Sequence, residues 1–241
     1  MFNKRKKQPE ITVVSTIPGL IDDKSIAPVP AHKFYPSWWK DMPRDLPWGD
    51  SSYRIKGTVK ICPSFVHWFS KGIVIPAWCD MTLRYNSKND VWNWTAGRTS
   101  PFSIDTHGRS QFLDHTDYLN KGLKAEFIFK LVSPWQVITP KGWSVLQLPL
   151  FYHNEQEWSV LPGIIDTDVH HQVNQQIAYY GKGKEIFIPK GTPLAHYMPY
   201  ERTKTTLEVR EQTPQDEKRF ASASNRIESE FRHGYKNLSR E

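Results

Sequence analysis

The sequence predicts an all-β domain of short strands with one C-terminal α-helix, and three observations predict it. The chain holds 18 prolines and 10 tryptophans; proline is excluded from helix interiors, and tryptophan packs well on pleated surfaces. EFIFKLV and WSVLQLPLF alternate at period two, as half-buried strands require. Helix-start chemistry stands out at Thr213-Pro214, and one helix without alternating β-α units argues against a doubly wound fold.

Taken in order, residues 1 to 56 hold IAPVPAHKFYPSWWKDMPRDLPWGD, whose repeated prolines oppose regular ladders. This segment is expected to be an extended N-terminal arm, rich in Pro and Trp, laid over the main body or a neighbouring subunit. From GTVKICPSFVHWFSKGIVIPAWCDMTLRYN onward, β-branched and aromatic runs are punctuated by Gly, Pro and Asn, so residues 57 to 210 are expected to form the β-domain. Residues 211 to 241 are expected to form an amphipathic helix docked on the sheet or on another chain. Thr213 caps it, Pro214 opens it, Asp216 sits in its first turn, and Phe220, Ile227 and Phe231 form its stripe.

Composition narrows the functional classes. Two cysteines, Cys62 and Cys79, argue against a disulfide scaffold and fit a reducing compartment. No apolar run approaches the roughly 20 residues that span a bilayer, so an intracellular protein, or one carried in a particle, is expected, without a membrane partner. The net charge of +7 permits attraction to nucleic acid, but much of the excess sits in NKRKK near the N-terminus, a solubilising tail. HKFYPSWWK interleaves aromatic and basic residues and could stack bases. Acids stand close by in KDMPRDLPWGD, and an interface between proteins accounts better for the composition.

The stretch LPGIIDTDVHHQVNQQIAYYGKGKEIFIPKGTPLAHYMPYER, residues 161 to 202, concentrates the candidate site residues. It reads as a turn and strand at PGIID, a strand at HHQVNQQIAYY, a hairpin turn at GKGK, a strand at EIFIP, a tight corner at KGTPL and a last strand at AHYMPYE. PGIIDTDVHHQV and FIPKGTPLAHYM resemble the third motif and the closing corner of the trimeric dUTPase and dCTP deaminase superfamily. PAWCDMTL resembles its first motif, and TPKGWSVLQLPL the strand entering its second. The resemblance runs over residues 72 to 202 and implies a β-clip-like, dUTPase-like barrel or sandwich, a homotrimer, and Asp80 and Asp166 at catalytic carboxylate positions with Mg²⁺ as cofactor. It would place Trp143, Gly163, Asp168, His170 and His196 in a binding role.

Departures from that pattern bear on activity. At the phosphate-holding Arg-Ser-Gly the chain has Pro149 to Tyr152, PLFY, with no guanidinium fork. Val169 replaces the aromatic that covers the base, and a helix stands where the glycine-rich C-terminal arm would be. Without its phosphate clamp a carboxylate can still cap a turn. PSWWKDMP, SPWQVITPKGWSVL, GIIDTDVHHQVN and IPKGTPL also resemble a family of no assigned activity encoded mainly by tailed bacteriophages. That resemblance implies a host-cytoplasmic or virion setting.

A metal reading competes. His115 and Asp117 have the His-x-Asp spacing of Fe(II)/2-oxoglutarate oxygenases, and His196 could be the distal ligand with Arg202 gripping the cosubstrate. The bland alternative is a polar loop in which Asp114 and Asp117 cap turns. His170 and His171, adjacent on a strand, would point to opposite faces and not chelate one ion. The expectation is therefore a binding or assembly protein without a cofactor, self-associating or bound to another phage or host protein. A diverged nucleotide hydrolase or binder is the alternative, and an iron oxygenase comes third.

Overall fold

A computed structural model describes residues 11–45, 57–97, 102–107, 111, 125–153 and 157–229, with the side chains of 225–229 set aside. The chain divides into two compact units, residues 1–34 with 71–202, and residues 35–70 with 203–241. It is mostly β, with several antiparallel sheets and few helices, one of them C-terminal.

Among the described residues the first unit holds fourteen strands: β1 (Thr12–Ser15), β2 (Val29–Pro30), β3 (Ile73–Pro76), β4 (Met81–Asn86), β5 (Val91–Ala96), β6 (Ile104–Thr106), β7 (Phe127–Leu131), β8 (Trp135–Ile138), β9 (Trp143–Leu148), β10 (Trp158–Val160), β11 (Gly163–Ile165), β12 (Gln175–Tyr179), β13 (Ile186–Ile188) and β14 (Pro193–Glu201). They form a five-stranded sheet in the order β11-β9-β14-β3-β2, a four-stranded sheet β10-β12-β7-β6, a three-stranded sheet β13-β4-β5 and the pair β1-β8. One apolar core, including Trp135, Phe129, Ile75, Met81, Leu83 and Ile177, draws on all four sheets.

β14 is the structural axis of the five-stranded sheet, because it pairs with β9 on one side and β3 on the other. Its Tyr197 is fully buried and carries a polar chain through the interior. The Tyr197 hydroxyl donates to Gln147 Oε1 at 2.8 Å and accepts from Gln175 Nε2 at 2.6 Å. Gln147 Nε2 in turn donates to the Leu161 carbonyl at 3.0 Å. A buried polar group left unmatched costs about 1–3 kcal/mol, so these three side chains fix one another's position. Close packing adds a second constraint where Gly72, with φ +75°, lies against β14: a Cβ there would fall 2.0 Å from the Tyr197 carbonyl oxygen.

Two expectations from sequence are corrected here. Residues 11–34 are part of the sheeted unit and not an arm laid over it: β1 runs antiparallel to β8, β2 extends the five-stranded sheet, and Ile26 enters the core. The proline-rich pattern hid this because an edge strand tolerates Pro30, whose missing N–H needs no ladder partner. Nor is GKGK a hairpin, since β12 and β13 belong to different sheets. Lys182 (φ 51°) and Gly183 (φ 82°) make the turn. The Tyr179 ring folds over Gly181, where a Cβ would meet it at 2.6 Å, and its hydroxyl donates to the Lys184 carbonyl, so the chain is steered away from its own strand.

In the second unit, α1 (Ser37–Asp41) and α2 (Pro63–Ser70) pack through aromatic rings. Trp39, 5% exposed, stacks on Phe65 at 5.7 Å and tilts against Phe69 at 5.1 Å, with Tyr35 edge-on to Phe69 at 5.3 Å. Tyr35, Trp38 and Trp39 of HKFYPSWWK therefore find ring partners in their own unit, which occupies faces that base stacking would need. The expected helix is α3 (Pro214–Ser229). Thr213 Oγ1 accepts from Asp216 N at 3.2 Å while Asp216 Oδ2 accepts from Thr213 N at 3.0 Å, a reciprocal box that satisfies two orphan backbone donors. Phe220 is 57% exposed, so this residue of the expected docking stripe faces solvent; Ile227 and Phe231 lie outside the described side chains. Among the described residues, no helix is long and apolar enough to cross a membrane.

Tyr197→Phe should leave the buried Gln147 Oε1 without the Tyr donor and one N–H of Gln175 without its acceptor, and lower the unfolding free energy by about 1–3 kcal/mol. Denaturant titration against wild type measures it; an unchanged midpoint would show that the network holds nothing together.

Candidate functional site

The turn after β11 builds the most elaborate polar cluster. Asp166 ends the strand, and its carbonyl accepts from Val169 N at 2.9 Å and His170 N at 2.8 Å, closing a tight turn. The HHQVN segment is consequently not strand: β12 starts only at Gln175. The turn holds Asp168 against the end of β14, where Arg202 places its planar fork on both carboxylate oxygens, NH1 to Oδ1 at 2.8 Å and NH2 to Oδ2 at 2.6 Å. Gly142 N adds a third donor to Asp168 Oδ2 at 2.8 Å. Asp166 Oδ1 accepts from Ser144 Oγ at 2.6 Å and lies 3.2 Å from Arg202 NH1.

Charge and burial define what this cluster can do. The Arg202 fork, and then the Gly142 amide, hold the Asp168 carboxyl down at about 2, well below its ordinary 3.8. The Asp168 side chain is only 5% exposed while that of Asp166 is 56% exposed. A carboxylate saturated by a bidentate guanidinium and an amide is a poor proton acceptor and has little capacity left for a metal. The cluster therefore ties three segments together: the β11–β12 turn, the start of β9 and the end of β14.

The other sequence-predicted residues lie elsewhere. Asp80 sits at the Lys190-Gly191 corner, where its Oδ1 accepts from Lys190 N at 2.8 Å, and the Lys190 ammonium reaches Asp23. None of these partners belongs to the Asp166 cluster, so the two candidate catalytic carboxylates are held by separate groups. Trp143 contributes its backbone: its carbonyl accepts from Arg202 NH1 at 3.2 Å and from Thr139 Oγ1 at 3.1 Å. Gly163 pairs with Gln147 across the strands, with open space where a Cβ would be. His170 is exposed at the turn, and His171 Nδ1 lies 2.8 Å from the Thr167 carbonyl. His196 is 3% exposed in β14, its Nε2 2.5 Å from the Lys71 carbonyl, and burial pushes its pKa below the ordinary value.

Of the residues of the iron reading, His115 and Asp117 lie outside the described residues, and His196 Nε2 lies against the Lys71 carbonyl. Among the described residues, no group of three His, Cys, Asp or Glu side chains is placed to hold a metal ion.

A cleft of about 280 Å³ opens after β9, lined by Phe151, Tyr152, His153, Trp158 and Tyr180 among others. Tyr152 adopts φ 68°, a left-handed conformation uncommon for a bulky residue. Among the described residues the lining includes no Lys, Arg, Asp or Glu, so the described PLFY segment offers aromatic surface and no guanidinium to hold a phosphate. Sequence reasoning missed Ser144, although a serine inside the apolar run WSVLQL is a signal: it is wholly buried and serves Asp166. Arg202 was expected to grip a cosubstrate and instead grips Asp168.

No protein-family model matches the chain, and no curated protein matches its sequence. Solved structures resemble it distantly. The dUTPase of Staphylococcus aureus phage phi11, in a point-mutant form, aligns with TM-score 0.37 and 10% identity over 84% of this chain and 97% of its own. A mutant dUTPase of phage 80alpha aligns with TM-score 0.37 and 9% identity over 89% and 93%. The native EIAV dUTPase aligns with TM-score 0.32 and 10% identity over 59% of this chain and 84% of its own. Likenesses of this size lend nothing to the reading of the site.

Asp168 titrates at about 2 folded against 3.8 ordinarily, so its pairing stabilises the fold fully above about pH 4 and fades as pH falls toward 2. Asp168→Asn should therefore melt below wild type at pH 7, and the gap should narrow between pH 4 and pH 2. A gap constant across that range, followed by calorimetry, would assign the loss to something other than this carboxylate.

Proposed function

We propose that the chain is a binding or assembly protein without catalytic activity, built on a dUTPase-like, β-clip-like scaffold and acting in a phage setting, in the host cytoplasm or the virion. The observation that carries it is the Arg202 fork on Asp168, with Ser144 and Arg202 both on Asp166: the site's charge is spent on holding segments together. Phosphoryl and nucleotidyl chemistry requires cations aimed at a substrate, and the single guanidinium here is aimed inward at carboxylates. The aromatic cleft beside PLFY, whose described lining carries no Lys or Arg, supports the same reading. Exposed apolar side chains near the turn, Ile164 at 62% and Val169 at 77%, give a binding surface of the kind that associates with protein. The partner proposed is a second copy of the chain. A nucleotide pocket using Asp80, Asp166 and Mg²⁺ is the alternative that the sequence motifs favour.

The test is a thermal-shift series with each deoxynucleoside triphosphate and Mg²⁺, run beside sedimentation velocity. The expected outcome is no shift with any nucleotide and concentration-dependent association. A ligand at about 100 times its dissociation constant adds roughly 2.7 kcal/mol, so stabilisation by one nucleotide, lost in Asp166→Asn, would establish the pocket instead.

A further inference from the structure

Between the end of β14 and the cap of α3, residues 203–212 carry no regular structure and, among the described residues, no backbone-to-backbone hydrogen bond. Every one of them is exposed, and Leu207 at 87% and Val209 at 86% are the most exposed large apolar side chains described. Their sequence is nonetheless that of a strand: in TTLEVRE, Thr205, Leu207 and Val209 would share one face once extended, with Thr206, Glu208 and Arg210 on the other. The segment's far end is fixed, since Arg210 reaches both Asp216 oxygens at 2.5 and 3.1 Å and Asp216 also closes the helix cap. A strand-like segment anchored at its end, with its polar backbone and its two aliphatic side chains unmatched, lacks only a sheet edge.

The same chain offers such an edge. β5 is the outer strand of the three-stranded sheet and, at six residues, the longest edge strand described; among the described residues no strand pairs with its free side. Its Val91 is 44% and its Trp92 41% exposed, apolar surface beside which Leu207 and Val209 could pack. Edges of this kind are commonly blunted by Lys or Pro, and VWNWTA contains neither.

We propose that residues 203–211 of one copy add as a strand to the β5 edge of a second copy. The proposal rests on the self-association reading above and specifies its contact. Because arm and edge are different surfaces, the contact is head-to-tail, and successive copies build a ring or an open filament according to the rotation between them. Main-chain hydrogen bonds supply the affinity in such strand addition, and the alternating Leu207 and Val209 side chains supply the register.

The experiment uses the full chain in sedimentation velocity across a dilution series, with amide hydrogen exchange at each concentration. Expected is association in which amides of residues 91–96 and 203–211 lose protection together on dilution. Leu207→Asp with Val209→Asp, both on exposed side chains that leave the core untouched, should weaken association by at least about tenfold, as should Val91→Lys at the edge. Mixing the arm variant with the edge variant should restore a single interface, because each retains the surface the other has lost. Association as tight in the arm variant as in wild type, or protection at 203–211 that ignores dilution, would overturn the strand-addition contact alone. A wild-type chain that stays monomeric throughout would overturn the self-association reading along with it.

Discussion

The hydroxyl of Tyr197, buried at the middle of β14, is the constraint on which most of the sheeted unit depends. Through it Gln147 on β9 and Gln175 on β12 are locked to one strand, although β9 and β12 belong to different sheets. Hydrophobic burial alone specifies an interior loosely, because apolar contacts are not directional. A buried amide, in contrast, has few positions in which it is matched, and one misplaced strand leaves it unpaired. Gly72 enforces the same alignment sterically from β3's side, since no side chain fits between it and the Tyr197 carbonyl.

That strand leads directly into the Arg202 cluster. β14 ends at Glu201, and the residue that follows it turns its guanidinium back on the β11–β12 turn. The arrangement solves a local problem: a turn carrying Asp166 and Asp168 two residues apart holds two negative charges close together, and one planar cation offsets one of them while a serine and an amide donate to the carboxylates.

Local patterns made much of this fold legible. The alternation of EFIFKLV and WSVLQL located β7 and β9, and Thr213, Pro214 and Asp216 located the start of α3 and even its reciprocal cap, because those signals act within four residues. What stayed hidden depends on distance. GKGK has the composition of a hairpin, but whether two strands pair is decided by the sheets on either side, and here Tyr179 folding over Gly181 sends the chain onward. Asp168 and Arg202 are 34 residues apart, and nothing in either neighbourhood announces the other. The prolines of the first 34 residues suggested exclusion from sheets, whereas proline is excluded only from ladder positions that need its N–H, which leaves edges such as β2 open to it.

The distribution of unmatched groups completes the picture. Inside the sheeted unit the candidate catalytic carboxylates are paired, while Trp78 Nε1, Trp135 Nε1 and Gln175 Oε1 are buried without a hydrogen-bond partner among the described residues. Among the described residues, unmatched strand-forming potential sits at the periphery, in the six-residue β5 edge and in an exposed segment of strand-like sequence. The proposed strand addition would join these two halves of a ladder, and an open edge left alone invites unwanted partners. Such an edge is more readily retained when a dedicated strand covers it, and the apolar alternation of residues 205 to 209 is the kind of strand that would cover it.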